Sequence, residues 1–250
     1  MSDKILVEIP IPEVCHIIMN RPEKHNALDR ETYRLLTDAL RNADENENIR
    51  VIVLSGAGNS FTAGNDLHDF TGESLLDGEG HSPGLKLLLT LHGVKKPIIA
   101  AVEGYAVGIG ATMLNHCDLA YSGTSAHFRF PFATLGLSPE GGSTFYLPLA
   151  AGYKKAAELL FFGDFFSAQD ALQFHLLNAI VEDNNAVPHA LQKAEKLAKM
   201  PFQSILATKK MLKKRNRAKI VSVLEEEAKT FHNLRTSAET QKIIKGFFGK

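Results

Sequence analysis

Apolar and polar positions divide the chain into a first part of short apolar runs and a second part with helical periodicity. Residues 14–19 (VCHIIM), 51–54 (VIVL) and 98–102 (IIAAV) predict strands. The last two are wholly apolar and mostly β-branched, as in strands covered on both faces. Between the first two, Asp29 predicts a helix N-cap. Tyr33, Leu36 and Leu40 then recur at helical spacing through about Ala43. From about Gly152 the pattern turns helical over 153–162, 187–199, 202–214, 217–232 and 237–247, and Ser167-x-x-Asp170 has the form of a capping box. Residues 72–84 (GESLLDGEGHSPG) read as a loop, either a lid or binding loop or plain surface. Pocket walls are expected from the 72–92 region. No internal repeat is visible, and the order implies an α/β part followed by a helical tail.

Lys plus Arg and Asp plus Glu are 28 each, so no net charge steers the chain toward nucleic acid or an acidic membrane. The basic run from Lys209 to Arg217 is therefore expected to be a solvated helix face. No apolar run approaches the ~20 residues a membrane span needs, so no membrane partner is expected. The first residues lack a secretory or transit pattern, and the last five, GFFGK, do not match a peroxisomal Ser-Lys-Leu address. With only Cys15 and Cys117, reduced thiols and a cytoplasmic location are expected. Ten histidines show no ligand spacing, so no metal is expected. His116 beside Cys117, and the pairs Phe161-Phe162 and Phe165-Phe166, read as packing.

The glycine clusters narrow the chemistry by exclusion. After Gly56-x-Gly58 and Gly108-x-Gly110 a dinucleotide fingerprint needs a third glycine, but Phe61 and Met113 stand there. No Gly-Lys-Ser/Thr phosphate loop occurs. Residues 97–118 instead read as a buried strand ending at Glu103-Gly104, a glycine turn, and a helix start from Ala111 to Leu114. Such a turn is either a packing device or a place where free N–H groups stabilise an anion. Residues 60–67 follow the VIVL strand, and Ala63 and Gly64 would let a ligand approach the main chain closely. Together the two loops could form an oxyanion hole with two donors.

Four runs in order carry a family resemblance: Arg21-Pro22-Glu23-Lys24-His25-Asn26-Ala27-Leu28, Phe61-x-Ala63-Gly64-x-Asp66-Leu67, Gly104-Tyr105-Ala106-x-Gly108-x-Gly110 with Cys117-Asp118, and Ser167-Ala168-Gln169-Asp170-Ala171. Over residues 5–250 the chain resembles the enoyl-CoA hydratase/isomerase (crotonase) family. The resemblance implies an α/β fold of repeated ββα units over residues 1–195 and a helical trimerisation region over 196–250. It implies a homotrimer or dimer of trimers. It also implies a coenzyme A thioester as substrate, with no separate cofactor. The thioester oxygen would accept from the N–H groups of Asn65 and Ile109. The backbone around Lys24, Asn26, Leu28, Ala63 and Asp66 would hold the adenine and pantetheine, with Gly64, Leu67, Gly108 and Phe132 also at the ligand. Phe247 and Lys250 match positions that contact the nucleotide.

Carboxylates choose the reaction. Where hydratases of this family carry two glutamates, this chain has Thr112 and Phe132, neither able to shuttle a proton at neutral pH. Glu140, in Pro139-Glu140-Gly141-Gly142, matches the single glutamate of the Δ3,Δ2-enoyl-CoA isomerase branch. That branch moves a 3-enoyl double bond into conjugation by one carboxylate. Apolar neighbours would raise the pKa of Glu140 and a helix start would lower it. Asp66 is expected to order its loop and Glu103 to face solvent. Hydration, hydrolysis or decarboxylation of a thioester, and acyl-CoA binding without turnover, remain as alternatives.

Overall fold

The structure is a computed structural model and describes residues 3–70 and 80–248, the last two of these by backbone alone. The expectations for Lys250, for the side chain of Phe247 and for most of the 72–84 loop fall outside what is described.

The main sheet has six strands in the order β1-β2-β3-β4-β6-β9. They are β1 (Ile5–Ile11), β2 (Val14–Met19), β3 (Val51–Gly56), β4 (Ile98–Val102), β6 (Leu119–Gly123) and β9 (Ala179–Val181). β1 runs antiparallel to β2, and the remaining neighbours are parallel. A second sheet joins β5 (Tyr105–Val107), β7 (His127–Arg129) and β8 (Phe165–Ser167). The three apolar runs form β2, β3 and β4. Single-residue alternation along them splits the core in two. Val51, Val53, Ile99 and Ala101 face one side, while Ile52, Leu54, Ile98 and Ala100 face the other.

The first side is covered by α7 (Ala186–Ala198), whose Ala186, Ala190, Ala194 and Ala198 lie on one stripe. Small side chains at four-residue spacing let this helix approach the sheet closely. Glu103 caps it by accepting from Ala186 N at 2.9 Å. It therefore does not simply face solvent: four free N–H groups at a helix start supply a reason to turn inward. The boundary expected after residue 195 falls inside α7, and the chain next turns at Met200–Pro201.

The other side is covered by α1 (Arg30–Glu45) and α2 (Pro83–Gly93). Asp29 accepts from Thr32 N and caps α1 as expected. α2 was not legible as a helix, and it absorbs the end of the expected loop. Ser82 accepts from Leu85 N, and Pro83 opens the first turn. Short α3 (Ile109–Thr112) follows β5, and α4 (Ser143–Ala151), α5 (Tyr153–Phe162) and α6 (Ala168–Gln173) complete the middle of the chain. The Ser167–Asp170 capping box is formed at the start of α6.

Helices α8 (Phe202–Lys214), α9 (Arg217–Arg235) and α10 (Ala238–Phe248) close the fold, and Ile220, Leu224 and Ile244 enter the same core as the sheet. The basic run is not only a solvated face. Lys209 is buried, and its ammonium donates to Lys96 O (2.7 Å) and to Asp118 Oδ2 (2.6 Å). Half-buried Lys213 donates to His92 O, and desolvation with the neighbouring Lys209 charge brings its pKa down to about 8. A buried ammonium needs a counter-ion, which Asp118 supplies from 91 positions away, so no pattern in the run itself reveals it. Among the described residues no helix is long and apolar enough to cross a membrane.

Candidate active site

The site is assembled where the loops after β3 and β5 zip together. Thr62 N donates to Tyr105 O (2.9 Å), and Val107 N donates back to Thr62 O (3.0 Å). Gly64 has φ +86° and lies flat on this junction; a β-carbon there would stand 2.5 Å from Val107 O. Only glycine fits both that φ and that contact. Asn65 follows Gly64, and Ile109 is the first residue of α3. Among the described residues neither backbone N–H finds a protein acceptor. Two free donors on adjoining loops are the kind of groups from which an oxyanion hole is built.

Glu140 sits in the loop between Gly136 and α4 and is 8% exposed. Burial, reinforced by the Glu227 carboxylate, pushes its pKa up to about 8, while the Asn65 contact opposes the rise. Desolvation therefore wins over any helix-start effect. Glu227, on α9, accepts from Gly142 N (2.7 Å), Thr144 N (3.0 Å) and Thr144 Oγ1 (2.5 Å). This remote carboxylate holds the loop that presents Glu140.

The Asn65 side chain also takes part. Tyr33 Oη donates to its Oδ1 at 2.6 Å, which turns Nδ2 toward Glu140 Oε1 in a long contact of 3.5 Å. Burial and the nearby Glu140 carboxylate raise the Tyr33 pKa well above 10, so the phenol stays a donor. Gly84 completes the centre: a β-carbon there would lie 3.6 Å from Ile109 Cδ1, 3.8 Å from Tyr33 Oη and 3.9 Å from Glu140 Oε2.

Two cavities open from this centre, and Asn65, Phe70 and Phe231 line both. The first is narrow, about 40 Å³, and holds Glu140, Tyr33, Gly84, Leu28 and Arg235 in its walls. The second, about 250 Å³, is lined by Ala63, Leu67, Gly108 and Phe132.

The remaining expected residues divide. Leu28 lines the first cavity, and its N–H and carbonyl are engaged by Gly64 O and Asp66 N. Lys24 lies on an exposed turn. Asn26 is 1% exposed, and its side chain bonds Arg21 N, Ala57 O and Ser60 O while its carbonyl accepts from Thr62 Oγ1. It shapes the loop, and its polar groups already have protein partners. Asp66 orders its loop as expected, paired with Arg21 and bonded to His68, which hold its pKa low against burial. Thr112 is buried against Gly141, and Phe132 is buried in the second cavity wall. Buried His116, its Nε2 3.0 Å from Gly141 O, packs behind the Glu140 loop. Tyr33, Glu227 and the Asn65 side chain were not anticipated as site groups. The available hint for Tyr33 was a hydroxyl on an otherwise apolar stripe, which needs a partner when buried.

A pair of free backbone donors beside one buried carboxylic acid, set in an α/β core with a helical closure, is an arrangement able to stabilise an enolate. Residues 12–250 match the enoyl-CoA hydratase/isomerase family. The chain belongs to that family. Enoyl-CoA delta isomerase 2 of Rattus norvegicus is 33% identical over 238 residues, 94% of this chain and 61% of that protein, so the chain spans about three fifths of that relative. The mitochondrial enoyl-CoA hydratase of Pongo abelii is 34% identical over 232 residues, 93% of this chain and 74% of that protein. The crystal structure of an enoyl-CoA hydratase/isomerase from Pseudoalteromonas atlantica superposes with a TM-score of 0.91 at 35% identity, covering 98% of this chain and 97% of the other.

Proposed function

We propose that the protein is an isomerase that moves the double bond of a 3-enoyl-CoA to the conjugated trans-2 position, with Glu140 as the proton shuttle. The observation that carries this reading is a single buried carboxyl with a raised pKa beside two free N–H groups. The two positions that would hold a hydratase's glutamates are Thr112 and Phe132. The Glu140 carboxylate removes a proton from C2. The charge of the resulting dienolate collects on the thioester oxygen, which accepts from Asn65 N and Ile109 N. The same carboxyl then returns the proton at C4. A base that must also act as an acid works best with a pKa near the working pH. C2 and C4 both lie on the acyl side of the thioester, so the acyl chain belongs in the cavity that Glu140 lines. The pantetheine arm then takes the cavity of Ala63, Leu67 and Gly108.

The exposed apolar side chains Leu149, Tyr153, Phe161, Phe162 and Phe165 support a homotrimeric or larger assembly. The names of the relatives include hydratases as well as isomerases, so hydration is the second reading. The test follows a trans-3-enoyl-CoA by the ultraviolet absorbance of the conjugated product. Wild type should convert it, with kcat/KM rising with pH to a plateau above about 8. Glu140→Gln should lose at least ~100-fold. Wild type that only adds water to a 2-enoyl-CoA would replace isomerisation by the second reading.

A further inference from the structure

We propose that the acyl cavity is built for chains ending in a carboxylate, and that Arg235 is the group that receives it. The inference rests on the isomerase reading only in assigning this cavity to the acyl chain. Arg235 is the last residue of α9, is 2% exposed, and lines the same cavity as Glu140. Among the described residues the one hydrogen bond of its guanidinium is long, from Nη1 to Phe70 O at 3.5 Å, and its buried Nη2 has no partner. Among the described residues no carboxylate lies within ion-pair distance of it.

The other charged groups in the cavity wall are not ion-paired with it. Asp66 is paired with Arg21 and bonded to His68, and Asp69, which accepts from Arg30 N, makes no ion pair with Arg235. Arg30 adds a second positive charge, and burial keeps His232 below its ordinary pKa, so the imidazole is neutral at pH 7. A role for Arg235 in holding Phe70 O is already filled, because Gln241 Nε2 donates to that carbonyl at 3.0 Å and to Arg235 O at 2.8 Å. A buried cation without a counter-ion is costly in a pocket meant only for a hydrocarbon tail. A guanidinium presents a planar fork that matches a carboxylate with two parallel hydrogen bonds. No bond is made or broken at Arg235: it binds the far end of the chain while the proton moves at the near end.

The test compares trans-3-enoyl-CoA substrates of six and ten carbons, each with a methyl or a carboxylate terminus. Wild type, Arg235→Met and Arg235→Lys are assayed on all four. In parallel, calorimetry measures binding of the corresponding saturated thioesters. At one chain length at least, wild type should favour the carboxylate terminus by about 10-fold or more in kcat/KM, the scale of a charged hydrogen bond. Arg235→Met should lower kcat/KM for the carboxylate-ended chain about 10-fold or more beyond any loss on the methyl-ended chain, and Arg235→Lys should keep part of the preference. Loss of activity on both classes alike, or a wild-type preference for methyl-ended chains at both lengths, overturns the proposal. Should Arg235→Met fail to fold, the wild-type ratio decides by itself. If no 3-enoyl-CoA is turned over, the isomerase reading fails, and the binding ratio still decides on Arg235. Tighter binding of the carboxylate-ended thioesters by wild type sustains it, and equal binding overturns it.

Discussion

Glu140→Gln should make the protein more stable while removing its proposed chemistry. The carboxyl has an ordinary pKa of 4.5 when solvated and about 8 in the folded protein. Between those values the folded state holds a proton that the unfolded state has released. Folding stability therefore falls as pH rises through this window, in full by about pH 8, and none of it is lost below 4.5. Each pH unit in the window is worth ~1.4 kcal/mol, so the loss is about 3 kcal/mol at pH 7 and about 5 kcal/mol at pH 9. Glutamine keeps the shape of the protonated acid and a group for Asn65 Nδ2 to donate to, but it never ionises. Urea denaturation of wild type and variant at matched concentration, at pH 4.5, 7 and 9, gives the difference directly. The curves should nearly coincide at pH 4.5, and the variant should gain progressively above it. A variant no more stable than wild type at pH 9 would refute the claim that burial dominates the environment of Glu140.

Two further outcomes test the groups that surround it. Tyr33→Phe leaves Asn65 Oδ1 without its 2.6 Å donor; freeing the carboxamide should lower kcat about tenfold, with KM little changed, and stopped assays across substrate concentration separate the two. Glu227→Gln removes the negative neighbour that helps raise the pKa of Glu140. The midpoint of the kcat/KM profile should then move to lower pH; a shift upward would place the cause elsewhere.

The division between sequence and tertiary structure follows the range of each force. Strands β2, β3 and β4 were legible because burial on both faces requires unbroken apolar runs, and α1 because Asp29 caps a stripe of Tyr33, Leu36 and Leu40. Short strands β5, β7 and β8 carry only three residues each, too few for a period to show. α2 was hidden because its LKLLLTL core is apolar on nearly all sides, as a helix packed between layers is. At the site, small residues at 63, 64, 108 and 110 marked two backbone loops and Glu140 marked the acid. The assignment of the two N–H donors to Asn65 and Ile109 came from the family resemblance, because the loops alone do not say which amides stay free.

What the sequence by itself determined was thus an α/β part followed by helices and two glycine-bearing loops, while the family resemblance singled out Glu140 as the candidate base. Only the tertiary structure decided the environment of that base. Glu227 lies 87 positions from Glu140 in the chain and Tyr33 lies 32 from Asn65. The charge on Arg235 acquires meaning only because α9 folds back over the cavity that Glu140 lines. Electrostatics and desolvation depend on distance through space, and no periodicity along the chain encodes that distance.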